Sequence, residues 1–322
     1  MDGAKLTVKQ WRDGAEVAPP ADPVKALREQ GSLVWVDLLA PTPEELGSIA
    51  EQIGLNPRAV EDALGEGERP KAGRYGEHLF LTVATVQLGD DRSTVARISA
   101  FVLPDGLLTV RRDDGVDLTP IVQAWQDNAA LLWFGTIGLV HGLLDATVDG
   151  HFDVIQQLDD RVEELEDVLF DQGQGRHIQH RVHRLRRDLV TVRRVVLPMR
   201  EIVEAVLRNR PDEHRHPELD GWFEDLRDHV LRSAEWTESL RDMVTAIFET
   251  NLSLQDAHLN EVMKKLAGWA AVIAVPTAVT GWFGQNIPFP GEGQLLGLVI
   301  SVVLVLGGAL GMWALLKRAD WI

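Results

Sequence analysis

Two charge-free runs near the C-terminus constrain this chain more than any other feature. Residues 266–284 hold no charged side chain, with Thr277 and Thr280 as their hydroxyls, and residues 295–316 hold none either, with Ser301 alone. Each run is long enough to cross a hydrocarbon layer of ~30 Å as a helix. Lys264 and Lys265 precede the first run, Lys317 and Arg318 follow the second, and the loop between them carries only Glu292. That distribution of basic residues places both termini in the cytosol. Trp282 and Trp313, with Trp269 as a further case, fall where interfacial anchors sit. The pattern predicts a two-span protein of the cell (inner) membrane, with lipid as an obligatory partner.

Two spans cannot enclose a pore, so conduction by such a chain requires several copies. Asn260, Met263, Ala267, Ala270, Ala274, Thr277 and Gly281 recur at alternating spacings of three and four, which draws one stripe on a helix. The stripe is largely small or polar, while Trp269, Val272, Ile273, Val275 and Val279 lie off it. Close helix packing explains the alanines. A narrow pore lining explains Asn260 and Thr277 as well. In the second run Gly307 and Gly311 have the spacing of a packing motif, expected to rest on the first span.

Upstream, residues 1–130 read as a cytosolic α/β domain. Strand-like runs occupy 5–11, 33–38, 79–88, 96–103 and 107–111, and helices begin at Thr42-Pro43 and Asn56-Pro57. Residues 131–217 read as long antiparallel cytosolic helices, one acidic (Asp159, Glu163, Glu166) and one basic (Arg181, Arg184, Arg187). No breaker appears between Gly221 and Pro276, so residues 218–284 form one long helix that includes the first span, followed by the loop 285–294, the second span 295–316 and a tail 317–322. At 1.5 Å per residue the long helix would reach roughly 100 Å, more than one globular core can cover. The net charge is −17, and the four acidic and four basic residues from Asp256 onward cancel, so all of it lies in residues 1–255. That balance repels nucleic acid and attracts cations. There are no cysteines, which excludes disulfides and thiolate metal sites. The N-terminus shows no apolar signal run. No catalytic constellation or phosphate loop stands out, and an enzyme is not expected.

The first span ends Phe283-Gly284-Gln285-Asn286. This resembles the Tyr-Gly-Met-Asn ending of the CorA family of divalent-cation channels, with Gly284 and Asn286 matching. The resemblance extends to residues 260–266 entering the membrane, to Pro276 and to the basic, Trp-containing tail. Pro57-Arg58-Ala59-Val60-Glu61-Asp62-Ala63-Leu64, Arg69-Pro70-Lys71 and the acidic stretch 145–170 are also similar. It implies an α+β cytosolic domain, long helices and a transmembrane hairpin, assembled as a funnel-shaped homopentamer. Gly284, Gln285 and Asn286 would form the selective mouth. Asn260, Met263, Leu266, Ala267, Ala270, Ala274, Thr277 and Gly281 would line the pore. Asp225 would hold regulatory cytosolic Mg2+ between subunits with Asp90 or Asp91 as partner, and Glu249 would be a secondary acid. A neutral amide ring suits Mg2+, which sheds water reluctantly.

Gln285 departs from the family pattern and leaves the choice among Mg2+, Co2+, Ni2+ and Zn2+ open. A ZntB-like zinc transporter is one alternative; a non-conducting, membrane-tethered scaffold or sensor is another. His177, His180 and His183 have zinc-binding spacing but lie among arginines that oppose a cation, and His258 could face an inner vestibule.

Overall fold

The computed structural model describes residues 5–29, 31–76, 78–89, 92–169, 175–210, 217–285, 291 and 293–322, the side chains of 175–177 excepted. The chain divides into two compact units, Met1–Ala246 and Ile247–Ile322.

The first unit starts with a hairpin, β1 (Lys5–Arg12) and β2 (Ala15–Val17). Its turn is Asp13-Gly14, both at positive φ, the conformation a two-residue hairpin turn of this type requires. Helix α1 (Pro23–Ala26), strand β3 (Leu33–Leu39), α2 (Pro43–Ile53) and α3 (Pro57–Leu64) follow. Thr42 and Glu45 close a reciprocal capping box at the start of α2 (3.1 and 2.9 Å), satisfying two donors that a helix end otherwise leaves bare. Asn56 caps α3 through its side chain.

Strands β4 (Lys71–Tyr75), β5 (His78–Gln87), β6 (Thr94–Leu103) and β7 (Gly106–Arg111) complete a seven-stranded sheet of order β2-β1-β3-β7-β6-β5-β4. The β3–β7 pair is parallel and every other pair is antiparallel. Both faces are covered, which is why β5 and β7 are apolar almost throughout. One face packs Phe80, Phe101, Leu108 and Val36 under α1–α3. The other packs Trp35, Leu81, Ile98 and Leu107 under the later helices.

Those helices are α4 (Thr119–Asp127), α5 (Ala129–Leu132), α6 (Thr136–Asp167), α7 (Gly175–Val196), α8 (Pro198–Asn209) and α9 (Pro217–Phe283). The acidic and basic stretches are α6 and α7, linked by Arg181–Glu164 (2.9 Å) and Arg161–Asp188 (3.7 Å). The sequence pattern marks one acidic and one basic helix within 131–217; the chain also breaks at Gly135 (φ 68) and again at Pro198, whose missing N–H makes it a first-turn residue. Strands β2 and β4 also escaped the sequence reading. β4, Lys-Ala-Gly-Arg-Tyr, has no β-branched residue and owes its extension to pairing with β5.

The second unit contains the remainder of α9 and helix α10 (Leu295–Arg318). In the most apolar stretch of each helix only 6% of residues are buried, so neither is the core helix of a soluble domain. Within this unit a Cβ at Gly308 would stand 2.7 Å from Val275 Cγ1, and one at Gly268 would stand 2.8 Å from Ile322 Cγ1. Gly307 and Gly311 have nothing within 4 Å. The glycine pair read as the packing motif therefore faces outward, and Gly308 makes the close approach.

Candidate functional site: the outward face of the long helix

Helix α9 turns about 100° per residue. Gly268 and Val275 meet α10 and the C-terminal residues, and Val272 and Val279 share that side half-buried. Positions two residues away on the helix lie roughly opposite. Met263, Leu266, Ala270, Ile273, Ala274, Thr277 and Gly281 fall on the far side and Asn260 and Ala267 on its flank, and all are exposed in the single chain. The sequence stripe is thus one continuous face that its own hairpin leaves uncovered.

Thr277 is the polar group deepest in the apolar run. Its hydroxyl donates to Ile273 O (2.9 Å), which leaves its oxygen lone pairs turned outward. Thr280 makes the same back-bond to Pro276 O (2.9 Å), outside the stripe. Pro276 has no N–H to give the preceding turn, a gap membrane helices tolerate. At the inner end Lys265 pairs with Glu261 (2.7 Å), and Lys317 lies over the Trp313 ring at 4.8 Å.

The helix ends on two turn bonds, Gly284 N to Thr280 O (2.9 Å) and Gln285 N to Trp282 O (3.3 Å). Gly284 and Gln285 are exposed at its tip. Asn286 lies outside the described residues.

Phe223, fully buried in the core, fixes the rotation of α9 so that Asp225, two positions on, points outward and is exposed. His229 Nε2 stands 3.8 Å from Asp225 Oδ2. Asp90 and Asp91 lie outside the described residues. Glu249 and His258 are exposed. Among the described residues no three His, Asp or Glu side chains gather as a metal site. Asp225 and His229 supply two donors at most, so a bound dication at Asp225 needs others. His180 and His183 join no such group, and the His177 side chain lies outside the described residues.

Sequence reading missed a titratable seam between α6 and α9. His141 donates to Trp222 O (3.1 Å) and meets the Phe223 ring edge-on. Burial lowers its pKa, against a smaller opposing effect of the Trp222 carbonyl, Asp145 and Asp225. Burial and the neighbouring Asp145 raise the pKa of Asp149, with His229 opposing. The only sequence signal was helical spacing of these residues along two apolar stripes, which does not say which helices meet.

A family model described as CorA-like Mg2+ transporter protein matches residues 30–318. The cobalt/magnesium transport protein CorA of Thermotoga maritima is 24% identical over 304 residues, covering 93% of this chain and 86% of that one. The protein of the same name from Methanocaldococcus jannaschii is 24% identical over 316 residues, covering 97% and 98%. The complete structure of the CorA magnesium transporter from Methanocaldococcus jannaschii superposes with a TM-score of 0.78 at 21% identity, over 98% of each chain. At that identity the likeness is one of fold.

Proposed function

The chain belongs to the CorA-like Mg2+ transporter family, and from that premise we propose that it assembles as a homopentamer whose α9 stripes line a magnesium-selective pore. It is a divalent-cation transporter of the membrane with two spans, and not an enzyme. The observation that carries the proposal is the opposition of faces on α9: Val275 and Gly268 pack within the hairpin while Thr277, Ala274, Ala270 and Asn260 are left open. A face of small and polar residues has little reason to meet lipid. Copies of itself around an axis would cover it and use it.

In such an assembly the amides of Asn286 and Gln285 form the outer mouth. Neutral oxygens bind the water shell of Mg2+ without stripping it, and they release the ion more readily than a ring of carboxylates. The Thr277 hydroxyl, its proton held by Ile273 O, offers lone pairs to the same hydrated ion. Met263 and Leu266 form an apolar constriction near the cytosolic end. The membrane potential contributes ~2.3 kcal/mol per charge per 100 mV, so a dication enters without ATP.

Two relatives bear the name cobalt/magnesium transport protein, which supports Co2+ beside Mg2+ as cargo. For regulation, we read Asp225 as one half of a cytosolic Mg2+ site completed by Asp90 or Asp91 of a neighbouring copy, with Glu249 as a further acid along α9. Bound ions would cancel the repulsion among these acids and hold the subunits together. Freed of ions, the subunits would splay and the pore would open.

Proteoliposomes with a K+ diffusion potential test the proposal directly. Potential-driven Mg2+ uptake that competes with Co2+ and disappears in Asn286→Ala is the expected result. Zn2+ uptake that follows a pH gradient, with no Mg2+ flux, would assign the zinc chemistry instead. Normal uptake by the Asn286→Ala variant would remove the amide ring from the mechanism.

A further inference from the structure

Away from α9, the sheet of the first unit carries a cleft for which cation transport provides no use. It lies on the face shared with α2 and α3, but beyond the end of α3, where the apolar covering stops. Along β6 the side chains on this face are Leu103, Phe101, Ser99 and Arg97. Leu103 and Phe101 belong to the core under the helices, and Ser99 and Arg97 line the cleft. Thr82 on β5 stands opposite Ser99, their hydroxyl oxygens 3.1 Å apart and both residues buried. The wall is the glycine-bounded turn Gly65-Glu66-Gly67 that follows α3, with Gly67 at φ 79. The volume is about 330 Å³, within the ~300–1,000 Å³ range of small-molecule sites.

Among the described residues the charges of this cleft are paired with opposite charges except at Arg97 and Asp113. Lys71 takes both Asp62 and Glu68 at 2.9 Å. Arg112 takes Glu66 at 2.9 Å, and the Asp113 carboxylate accepts from Gly115 N at 3.0 Å. Arg97 makes no ion pair among the described residues, and its Nε is shut away from solvent with no hydrogen-bond partner. The residue as a whole is half-buried, but a donor left unpaired away from water costs stability. The fork geometry of the guanidinium matches an oxyanion, and hydroxyls such as those of Ser99 and Thr82 serve the remaining oxygens.

We propose that this cleft binds a phosphate-bearing small molecule, its phosphoryl oxygens held by Arg97 and by the Ser99–Thr82 hydroxyl pair. Arg112, already tied to Glu66 across the mouth, stands where it can exchange that partner for a second phosphoryl oxygen. The volume exceeds that of a phosphate group alone, which leaves room for the moiety that carries it. The acidic wall disfavours long polyanions, so a monophosphate is the fitting class.

The full chain in detergent micelles is titrated calorimetrically with AMP, inorganic phosphate and, as a planar-anion control, acetate. The expected result is saturable one-per-chain binding of AMP or of phosphate, absent for acetate. Binding should weaken about tenfold or more in Arg97→Gln, the scale of a lost charge-assisted contact. Ser99→Ala changes no charge; it should weaken binding severalfold and covers the case in which Arg97→Gln does not fold. Binding of AMP but not of free phosphate means that the carried moiety uses the glycine-bounded wall, and supports the site. No binding of either phosphate at 10 mM, equal binding of acetate, or unchanged affinity in both variants overturns it.

Discussion

Gly308 of α10 lies against Val275 of α9, so close that a Cβ on the glycine would stand 2.7 Å from the valine Cγ1. In a membrane, helices associate without a hydrophobic driving force, so the packing of a contact this close cannot be replaced by hydrophobic attraction. Gly308→Val should force the helices apart and reduce the yield of assembled oligomer in detergent, read by size-exclusion chromatography with light scattering. Gly307→Ala, with nothing within 4 Å of the glycine in the chain, should leave the hairpin intact. Equal assembly of wild type and Gly308→Val would show that the crossing tolerates a wider gap.

The stripe on the opposite side of α9 responds to size and polarity in a different way. Thr277→Val keeps the shape and removes the oxygen, and it should slow Mg2+ uptake on the order of tenfold, the effect of one lost polar contact of about 1.4 kcal/mol. Ala274→Leu should block uptake by filling the axis. Val279→Ile, on the side turned to α10, should do neither. Uptake into proteoliposomes measures all three, and a strong Val279 effect with silent Thr277 and Ala274 would place the pore on another face.

Asp225→Asn should weaken protection of the cytosolic part by Mg2+. Limited trypsin digestion of the full chain across a Mg2+ series reads this out. The half-protecting concentration should rise severalfold relative to wild type, while Glu224→Gln, one position away, should leave it unchanged. Equal protection of Asp225→Asn and wild type would take Asp225 out of the regulatory site.

The hairpin and its polar stripe were legible in the sequence because hydropathy and a period of 3.6 are local properties. The capped starts of α2 and α3 were legible for the same reason, since Thr42-Pro43 and Asn56-Pro57 carry their own signals. β4 was not, because its extension comes from β5 alone. The choice of Gly308 over Gly307 and Gly311 was not, because helix spacing names a face without naming its neighbour. The seam of His141, Asp149 and His229 escaped for that same reason. Asp225 could be picked out by resemblance, while the rotation that turns it outward depends on Phe223 entering a core assembled from distant strands.

His151 makes stability depend on pH. It is buried in α6, donates to Ala84 O on β5 at 2.8 Å, and burial pushes its pKa down to about 4. The unfolded chain, with a histidine near 6.5, binds the proton more readily than the folded one. Stability from this group is therefore complete above pH 6.5 and is lost as the pH falls towards 4, at up to about 1.4 kcal/mol per unit. His141, lowered by burial, acts in the same direction. The thermal midpoint of the full chain should fall between pH 7 and pH 5, and His151→Gln, which keeps an N–H for Ala84 O, should flatten that slope. An unchanged slope in the variant would assign the acid sensitivity elsewhere.

The pair Asp37–Arg111 tests whether a charge inside the sheet holds the parallel β3–β7 junction. Arg111 donates to Asp37 through Nε and Nη2, the latter at 2.8 Å, and both residues are buried. Asp37 also accepts from Thr109 (2.7 Å), whose oxygen in turn accepts from Trp35 Nε1 (3.0 Å), and Arg111 reaches Val116 O at 3.0 Å. Removing one partner leaves the other charge buried and uncompensated, a loss of about 3–5 kcal/mol. Arg111→Met should therefore lower the thermal midpoint sharply. Asp37→Leu alone should do the same, since it strands the Thr109 hydroxyl and leaves Arg111 with the exposed Asp114 at 3.4 Å as its carboxylate partner. The double variant replaces both charges by apolar volume and should regain much of the loss, because the attraction of a buried pair roughly offsets its desolvation. If the double variant is as unstable as the sum of the two, the network of Thr109, Trp35 and Val116 O, rather than the ion pair itself, is what the junction depends on.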